Sequence, residues 1–128
     1  ALLYLARELG NRIGSSFAPS WQTTRRYIYE LPELQVGLDA FRLQRWNSSI
    51  NQWNTIVDSK DQKAAACAAA NIAIAYEMLG DYASACDYAQ RAIRLFGAWK
   101  TAYGRQQQVN IRYYLAQLQA RQARERDL

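Results

Sequence analysis

The sequence predicts an all-α fold, a short right-handed α-α superhelix (solenoid) of antiparallel helix hairpins with atypical capping helices. Three observations predict it. Apolar residues recur at spacings of three and four along the 128-residue chain, 21 residues are Ala, and a pattern of small and aromatic residues occurs twice in register. Because the length suits one domain, residues 1–128 are expected to share a single core.

Residues 1–31 are predicted to form N-terminal helices. Apolar residues at helical spacing indicate one helix over residues 1–16. Ser20 is the expected N-cap of a second helix, which ends near Leu31 because Pro32 disfavours a helical conformation in the residue before it. This segment is therefore expected to cover an otherwise exposed apolar end of the stack.

Residues 32–58 predict a degenerate helical hairpin. Apolar residues keep helical spacing on both sides of a short break at Gln44 and Arg45. Trp46 and Trp53 lie on the apolar stripe of the second helix, so we expect both in the core.

Residues 59–98 contain the better-formed hairpin. Ser59 and Gln62 form a capping-box pattern that predicts the start of an Ala-rich helix. Gly80 suits the left-handed position that follows this helix, and Asp81 suits the N-cap of the next.

Residues 99–128 are predicted to form a C-terminal capping helix and a frayed basic end. The preceding helix is expected to stop at Gly97, and apolar spacing indicates a last helix over residues 106–124. Ile111 and Leu118 are expected to face inward.

An internal repeat appears when Trp46 is set against Tyr82. Small or aromatic residues then recur in register, as in the pairs Gly37 with Ala73 and Trp53 with Ala89. The second copy, residues 66–99, resembles a tetratricopeptide repeat at Asn71, Ala73, Tyr76, Gly80-Asp81-Tyr82, Ala85, Tyr88 and Ala92. The resemblance implies stacked hairpins with a concave surface for a peptide or a partner protein.

More of the chain is similar to a family of gut-bacterial lipoproteins of unassigned function, whose C-terminal region has this fold. The residues that carry the similarity are Phe17-Ala18-Pro19-Ser20-Trp21, Arg25-Arg26-Tyr27-Ile28-Tyr29, Arg45-Trp46, Trp53 and Asn71-Ile72-Ala73. The resemblance implies a place in the cell envelope, attached to the outer membrane or in the periplasm, with a lipid-bearing Cys upstream of Ala1. It supplies no activity and no catalytic residue.

The composition argues against an enzyme. The sequence has no His, which is the commonest general base near neutral pH and the commonest metal ligand. Cys67 and Cys86 are too few for a structural zinc site and are expected to be free thiols in the core. Helix capping explains the two acidic pairs, Glu30 with Glu33 and Asp58 with Asp61. Because nucleotide-binding glycine motifs are also absent, we expect no cofactor, no metal and no catalytic residue.

The positive charge is concentrated toward the C-terminus. Residues 91–128 hold eight Lys or Arg against two Asp or Glu, whereas residues 1–90 hold eight against nine. Arg side chains bind carboxylates and phosphates, so this end can meet an acidic partner. The candidate partner-binding residues are Asn71, Arg91, Arg94, Trp99 and Arg105.

The leading functional hypothesis is a non-catalytic scaffold module that binds a protein or a peptide, including an acidic one. The alternative is electrostatic binding of nucleic acid or an anionic surface through the Arg-rich C-terminal third. Nucleic acid is the less favoured partner, because basic and aromatic residues are not interleaved along one groove. A homo-oligomer is a further alternative, since an apolar terminal face can stack on its twin. No apolar stretch approaches the roughly 20 residues that span a membrane.

Overall fold

In a computed structural model of the chain, the described residues are 2–3 and 26–127. Two short strands, β1 (Leu2–Leu3) and β2 (Ile28–Tyr29), pair antiparallel, with Leu2 opposite Tyr29 and Leu3 opposite Ile28. A 3-10 turn at Pro32–Leu34 follows. The α-helices of the described part are α1 (Gln35–Arg42), α2 (Trp46–Asn54), α3 (Gln62–Met78), α4 (Tyr82–Ala98) and α5 (Ala102–Arg126).

Helix α3 lies at the centre of the molecule. Every residue from Ala64 to Ala75 is buried, because α2, α4 and strand β2 pack around the helix. The small side chains of this segment let its neighbours approach closely, and a helix that is apolar on all sides is stable only inside a core. The prediction of an all-α fold is confirmed for the described residues, apart from the two-residue strands.

Each helix packs against the next helix in the chain. The turn between α1 and α2 has the same geometry as the turn between α3 and α4. Gln44 has a φ of 61° between α1 and α2, and Gly80 has a φ of 79° between α3 and α4. The residues two positions later, Trp46 and Tyr82, each begin a helix. The backbone thus repeats its turn after the same interval of 36 residues that aligns the two sequence copies.

The first hairpin is closed by a large side chain that packs on a glycine. A Cβ atom added at Gly37 would collide with the indole of Trp53. The indole Nε1 donates a hydrogen bond to the Leu34 carbonyl at 3.1 Å, and the buried Ser49 hydroxyl donates to the Gly37 carbonyl at 2.9 Å. These contacts place Trp53 in the core, as predicted.

The predicted helices of residues 1–31 are wrong where the structure describes them. Leu2–Leu3 is a strand, and the remainder of the helix expected over residues 1–16 lies outside the described residues. The helix expected to end near Leu31 is replaced over residues 26–31 by an extended segment that includes β2. The backbone of this segment bonds to β1 and to a side chain of α3, so distant partners outweigh its local helical pattern.

Four helix boundaries also differ from the predictions. The N-cap of α3 is Asp61, whose carboxylate accepts a hydrogen bond from the Ala64 N–H at 3.2 Å, and Ser59 instead accepts one from the Asp61 N–H. Helix α4 continues one residue past Gly97, and α5 starts earlier and ends later than expected, at Ala102–Arg126. The predicted capping by Asp81 and the left-handed Gly80 are confirmed.

Gly97 does not end α4 and packs against a side chain of α5. A Cβ atom at this position would overlap the side chain of Gln108, which donates a hydrogen bond to the Ile93 carbonyl at 2.8 Å. Helix α5 can therefore approach α4 closely at this point. No helix in the described ranges combines the length and apolar character needed to cross a bilayer.

The two left-handed turns predict opposite effects of one exchange. A residue other than glycine is disfavoured in the left-handed region by about 1–2 kcal/mol. Gln44→Gly should therefore raise the free energy of unfolding by about 0.5–1 kcal/mol after the greater chain entropy of glycine is subtracted. Gly80→Gln should lower it by about 1 kcal/mol, although no atom lies within 4 Å of the added Cβ. Urea unfolding measures both, and a loss of stability in Gln44→Gly would contradict the assigned turn.

Candidate functional site

The extended segment of residues 26–29 lies along α3 and runs in the opposite direction. Arg26 contacts Glu77 near the end of the helix, and Tyr29 contacts Asn71 near its middle. Three extended residues at about 3.3 Å each span roughly the same 9–10 Å as six helical residues at about 1.5 Å each. The segment and the helix therefore match in length, and we call this arrangement the occupied groove.

Asn71 binds the backbone of the segment with both ends of its amide. Its Oδ1 atom accepts a hydrogen bond from the Tyr29 N–H at 2.8 Å, and its Nδ2 atom donates one to the Tyr29 carbonyl at 3.0 Å. Both partners are fully buried. An amide supplies one acceptor and two donors, so it satisfies an extended residue in the way a neighbouring strand would.

A buried ion pair holds the other end of the segment. The Arg26 guanidinium donates through Nε and Nη2 to the two carboxylate oxygens of Glu77, each at 2.7 Å. Tyr114 on α5 donates its hydroxyl hydrogen to the same carboxylate at 2.7 Å. Burial lowers the pKa of Arg26, but the hydrogen bond and the charge of Glu77 raise it above its ordinary value. The Arg26 guanidinium is thus charged, and the hydrogen bonds of Glu77 join α3 to both the segment and α5.

The Tyr29 side chain reaches the last helix. Its hydroxyl donates to Oε1 of Gln107 at 2.5 Å, and its ring lies 5.6 Å from the ring of Phe96 on α4. Burial raises the pKa of Tyr29, and burial together with the charge of Glu77 raises the pKa of Tyr114. The groove is therefore formed by α3, α4 and α5. In the described part of the chain, every buried side-chain nitrogen and oxygen has a hydrogen-bond partner.

A second feature gathers cationic and aromatic residues where α3 begins, α4 ends and α5 begins. Lys63 Nζ lies 6.0 Å from the ring centroid of Trp99 and 5.3 Å from that of Tyr103. The two rings meet edge to face, with centroids 5.8 Å apart. All three side chains are partly exposed, so this cluster contacts solvent.

Two arginines continue from this cluster along α4. Arg91 forms an ion pair with Asp58 at 2.6 Å and lies 6.0 Å from the ring of Tyr88. Arg94 is exposed and has no ion pair among residues 26–127. Arg105 is exposed in the first turn of α5. We use the name cationic surface for the set Lys63, Arg91, Arg94, Trp99, Tyr103 and Arg105.

The structure separates the five predicted partner-binding residues into two groups. Arg91, Arg94, Trp99 and Arg105 lie on the cationic surface. Asn71 lies inside the molecule, where the segment uses its whole amide. It is therefore not on the surface of the folded chain.

Sequence reasoning did not find the residues that fix the segment. Arg26 and Tyr29 lie in a predicted helix, although the consecutive aromatic and β-branched residues Tyr27, Ile28 and Tyr29 are also typical of a strand. Glu77 gave a usable signal, because a carboxylate near the end of an Ala-rich apolar helix requires a partner when it is buried. The partner lies 51 residues away in the sequence, and nothing local identifies it.

Both thiols are free and buried, as expected. Burial raises the pKa of Cys67 to about 12, and burial also raises the pKa of Cys86. Both side chains are therefore protonated near neutral pH and are poor nucleophiles. Within the described residues, no group of three or more Cys, Asp or Glu side chains is placed to hold a metal ion.

These helices and contacts define an all-α helical domain. The family model of a domain of unknown function, DUF6340, matches residues 36–120, and since this is more than half of the chain, the chain belongs to that family. No curated protein and no solved structure matches the chain. The matched region contains the α3 and α5 side chains of the occupied groove and begins after the extended segment.

The ion pair of the groove predicts a strong difference between single and combined substitutions. Glu77→Leu leaves the Arg26 guanidinium buried without its carboxylate, so the free energy of unfolding should fall by about 3–5 kcal/mol. The triple variant Arg26→Met, Glu77→Leu, Tyr114→Phe removes all three polar groups, so its free energy of unfolding should fall less than that of Glu77→Leu. Chemical denaturation compares them. A triple variant at least as unstable as Glu77→Leu would contradict the role assigned to the charge.

The buried thiols predict a loss of stability in alkali. The Cys67 thiol ionises near pH 9.0 in the unfolded chain but only near 12 in the folded one, so the folded state binds more protons between these values. Stability present below pH 9 is lost as the pH rises, by about 1.4 kcal/mol per unit per group. Cys67→Ala should flatten this fall between pH 9 and 10, below the usual pKa of tyrosine. Cys86→Ala, at the less buried position, should flatten it less, and equal slopes in wild type and Cys67→Ala would contradict the prediction.

Proposed function

We propose that this domain is a non-catalytic protein-binding or peptide-binding scaffold built as a tetratricopeptide-like stack of helix hairpins. Support for the stack comes from the equivalent turns at Gln44 and Gly80 and from the packing of each helix on the next. The extended segment along α3, with contacts to α5, fits the place that a concave ligand-binding face would take in such a stack.

The exposed arginines of the cationic surface carry the proposal, and the contact between Asn71 and the Tyr29 backbone supports it. Both hydrogen bonds go to main-chain atoms, which every residue except proline offers. A groove that binds backbone in this way suits an extended polypeptide. Here the chain's own segment fills it, so we assign partner binding to the exposed cationic surface beside it.

The chemistry of the cationic surface suits an acidic protein or peptide. Arg94 and Arg105 are exposed, and their guanidinium groups can bind carboxylates through paired hydrogen bonds. The partly exposed Trp99 and Tyr103 rings, where α4 ends and α5 begins, add apolar contact area, and such aromatic residues are common at the centres of interfaces. The net charge of +6 over residues 91–128, from eight basic and two acidic residues, would speed the approach of a negative partner.

The chemistry of the reactive side chains supports a role without catalysis. The Cys67 and Cys86 thiols have raised pKa values, and the Tyr114 hydroxyl donates a hydrogen bond to the structural carboxylate of Glu77. By resemblance to the lipoprotein family, we place the domain in the cell envelope, where it would assemble with other surface components.

The test is a pull-down from native envelope extract with the folded domain. We expect a partner that is retained by wild type and lost with the variant Arg94→Glu, Trp99→Ala, Arg105→Glu, because two charges are reversed and an aromatic contact is removed. Arg91 is left unchanged, since its ion pair with Asp58 is structural. The control is Arg45→Glu, an exposed charge reversal at the turn between α1 and α2. A partner held equally by all three proteins would contradict the assignment to this surface.

A second candidate function is electrostatic binding of nucleic acid or another anionic surface, favoured by the concentration of Arg in the last third. This binding would weaken steeply with salt, because each phosphate contact releases a counterion. Retention on heparin measures it. Failure to bind heparin even at low salt would remove this alternative and leave the protein partner.

A further inference from the structure

Helix α5 carries two apolar stripes on opposite faces. The inward stripe is buried and consists of Gly104, Gln107, Ile111, Tyr114 and Leu118. The outward stripe is exposed and includes two large side chains, Val109 at 57% and Tyr113 at 62% exposure. Most helices of soluble proteins have one apolar face, so the second stripe requires an explanation.

The outward stripe has the spacing of a coiled-coil seam. Val109 and Tyr113 are followed at intervals of three and four residues by Ala116, Ala120 and Ala123, of which the first two are exposed and the third partly exposed. An average spacing of 3.5 residues keeps such a stripe facing a second helix along its length. The small alanines leave space for larger side chains of a partner.

A row of three arginines and one glutamine runs beside this stripe. Arg105, Arg112, Gln119 and Arg126 follow each other at intervals of seven residues, and all four are exposed. None of these three arginines has an ion pair within residues 26–127. The positions on the other side of the stripe, Asn110, Gln117 and Arg124, also lack an acidic residue. Both flanks of the seam are therefore neutral or positive.

From this pattern we infer that the outward stripe of α5 is a docking surface for an acidic amphipathic helix. Its apolar residues would pack against Val109 and Tyr113, and its Glu or Asp side chains would face the arginine row, since flanking charges determine partner choice in coiled coils. A second copy of this chain fits poorly, because its flanks would add more positive charge. The inference rests on the proposed binding function and specifies the kind of partner for one part of the molecule.

The probe is a synthetic helical peptide of four heptads with Leu at the seam positions and Glu at both flanking positions. A second peptide is identical except for Lys at the flanking positions. Fluorescence anisotropy with the folded chain should give an affinity at least about tenfold higher for the Glu peptide than for the Lys peptide. Equal affinities would overturn the inference.

Charge reversal on α5 tests whether the peptide binds at the outward stripe. The variant Arg112→Glu, Gln119→Glu should bind the Glu peptide less tightly and the Lys peptide more tightly than wild type does, and a merely unfolded protein cannot produce the gain for the Lys peptide. The matched control Arg45→Glu, Gln52→Glu makes the same change in charge at exposed positions in α2 and at the turn before it, and should keep the wild-type preference. An α5 variant that keeps the full wild-type preference for the Glu peptide would refute the docking site on α5.

Two further measurements test the apolar contacts of the stripe and the alternative of self-association. Val109→Ser with Tyr113→Ser should weaken Glu-peptide binding about tenfold without improving Lys-peptide binding. Sedimentation of the chain alone should show a monomer. A wild-type dimer that dissociates in the Val109 and Tyr113 variant would assign the stripe to a second copy and overturn the inference. A pull-down with Arg94→Glu, Trp99→Ala alone, which keeps Arg105, tests the proposed function separately, because neither changed residue lies on α5.

Discussion

The burial of α3 on all sides is the constraint on which the rest of the structure depends. Its alanines let α2 and α4 approach closely, but the helix also carries Asn71 and Glu77 into the core. A buried amide or carboxylate without partners costs several kcal/mol, so other elements must supply them. The extended segment supplies the Tyr29 backbone and Arg26, and α5 supplies Tyr114. Two polar side chains thus determine where both ends of the described chain pack.

The two hairpins solve the same packing problem with different side chains. In the first, the indole of Trp53 requires a glycine at position 37. In the second copy, the equivalent positions hold Ala89 and Ala73. Two methyl groups thus stand where the first copy has the Trp53 indole and no side chain at Gly37. The two pairs differ in side-chain volume as well as in residue type, so the first copy is hard to recognise from its sequence.

The buried polar residues stabilise the fold, whereas the exposed ones are available for binding. The groove residues satisfy each other completely, and therefore they hold the fold without offering free groups to a ligand. The charges that remain available lie on α4 and α5, where Arg94, Arg105 and Arg112 are exposed. The concentration of Arg in the last third of the sequence thus becomes a surface property of the last two helices.

The sequence by itself determined the helices from residue 35 onward, the left-handed Gly80 and the cap at Asp81, because apolar spacing and capping act over a few residues. It also indicated that Arg91, Arg94 and Arg105 are on the surface and that the thiols are buried. Only the tertiary structure decided that residues 26–31 are extended, that Asn71 faces inward and that Gly97 serves packing. The physical reason is distance along the chain. Tyr29 bonds to a side chain 42 residues away and Arg26 to one 51 residues away, and no local pattern encodes which pairs will meet.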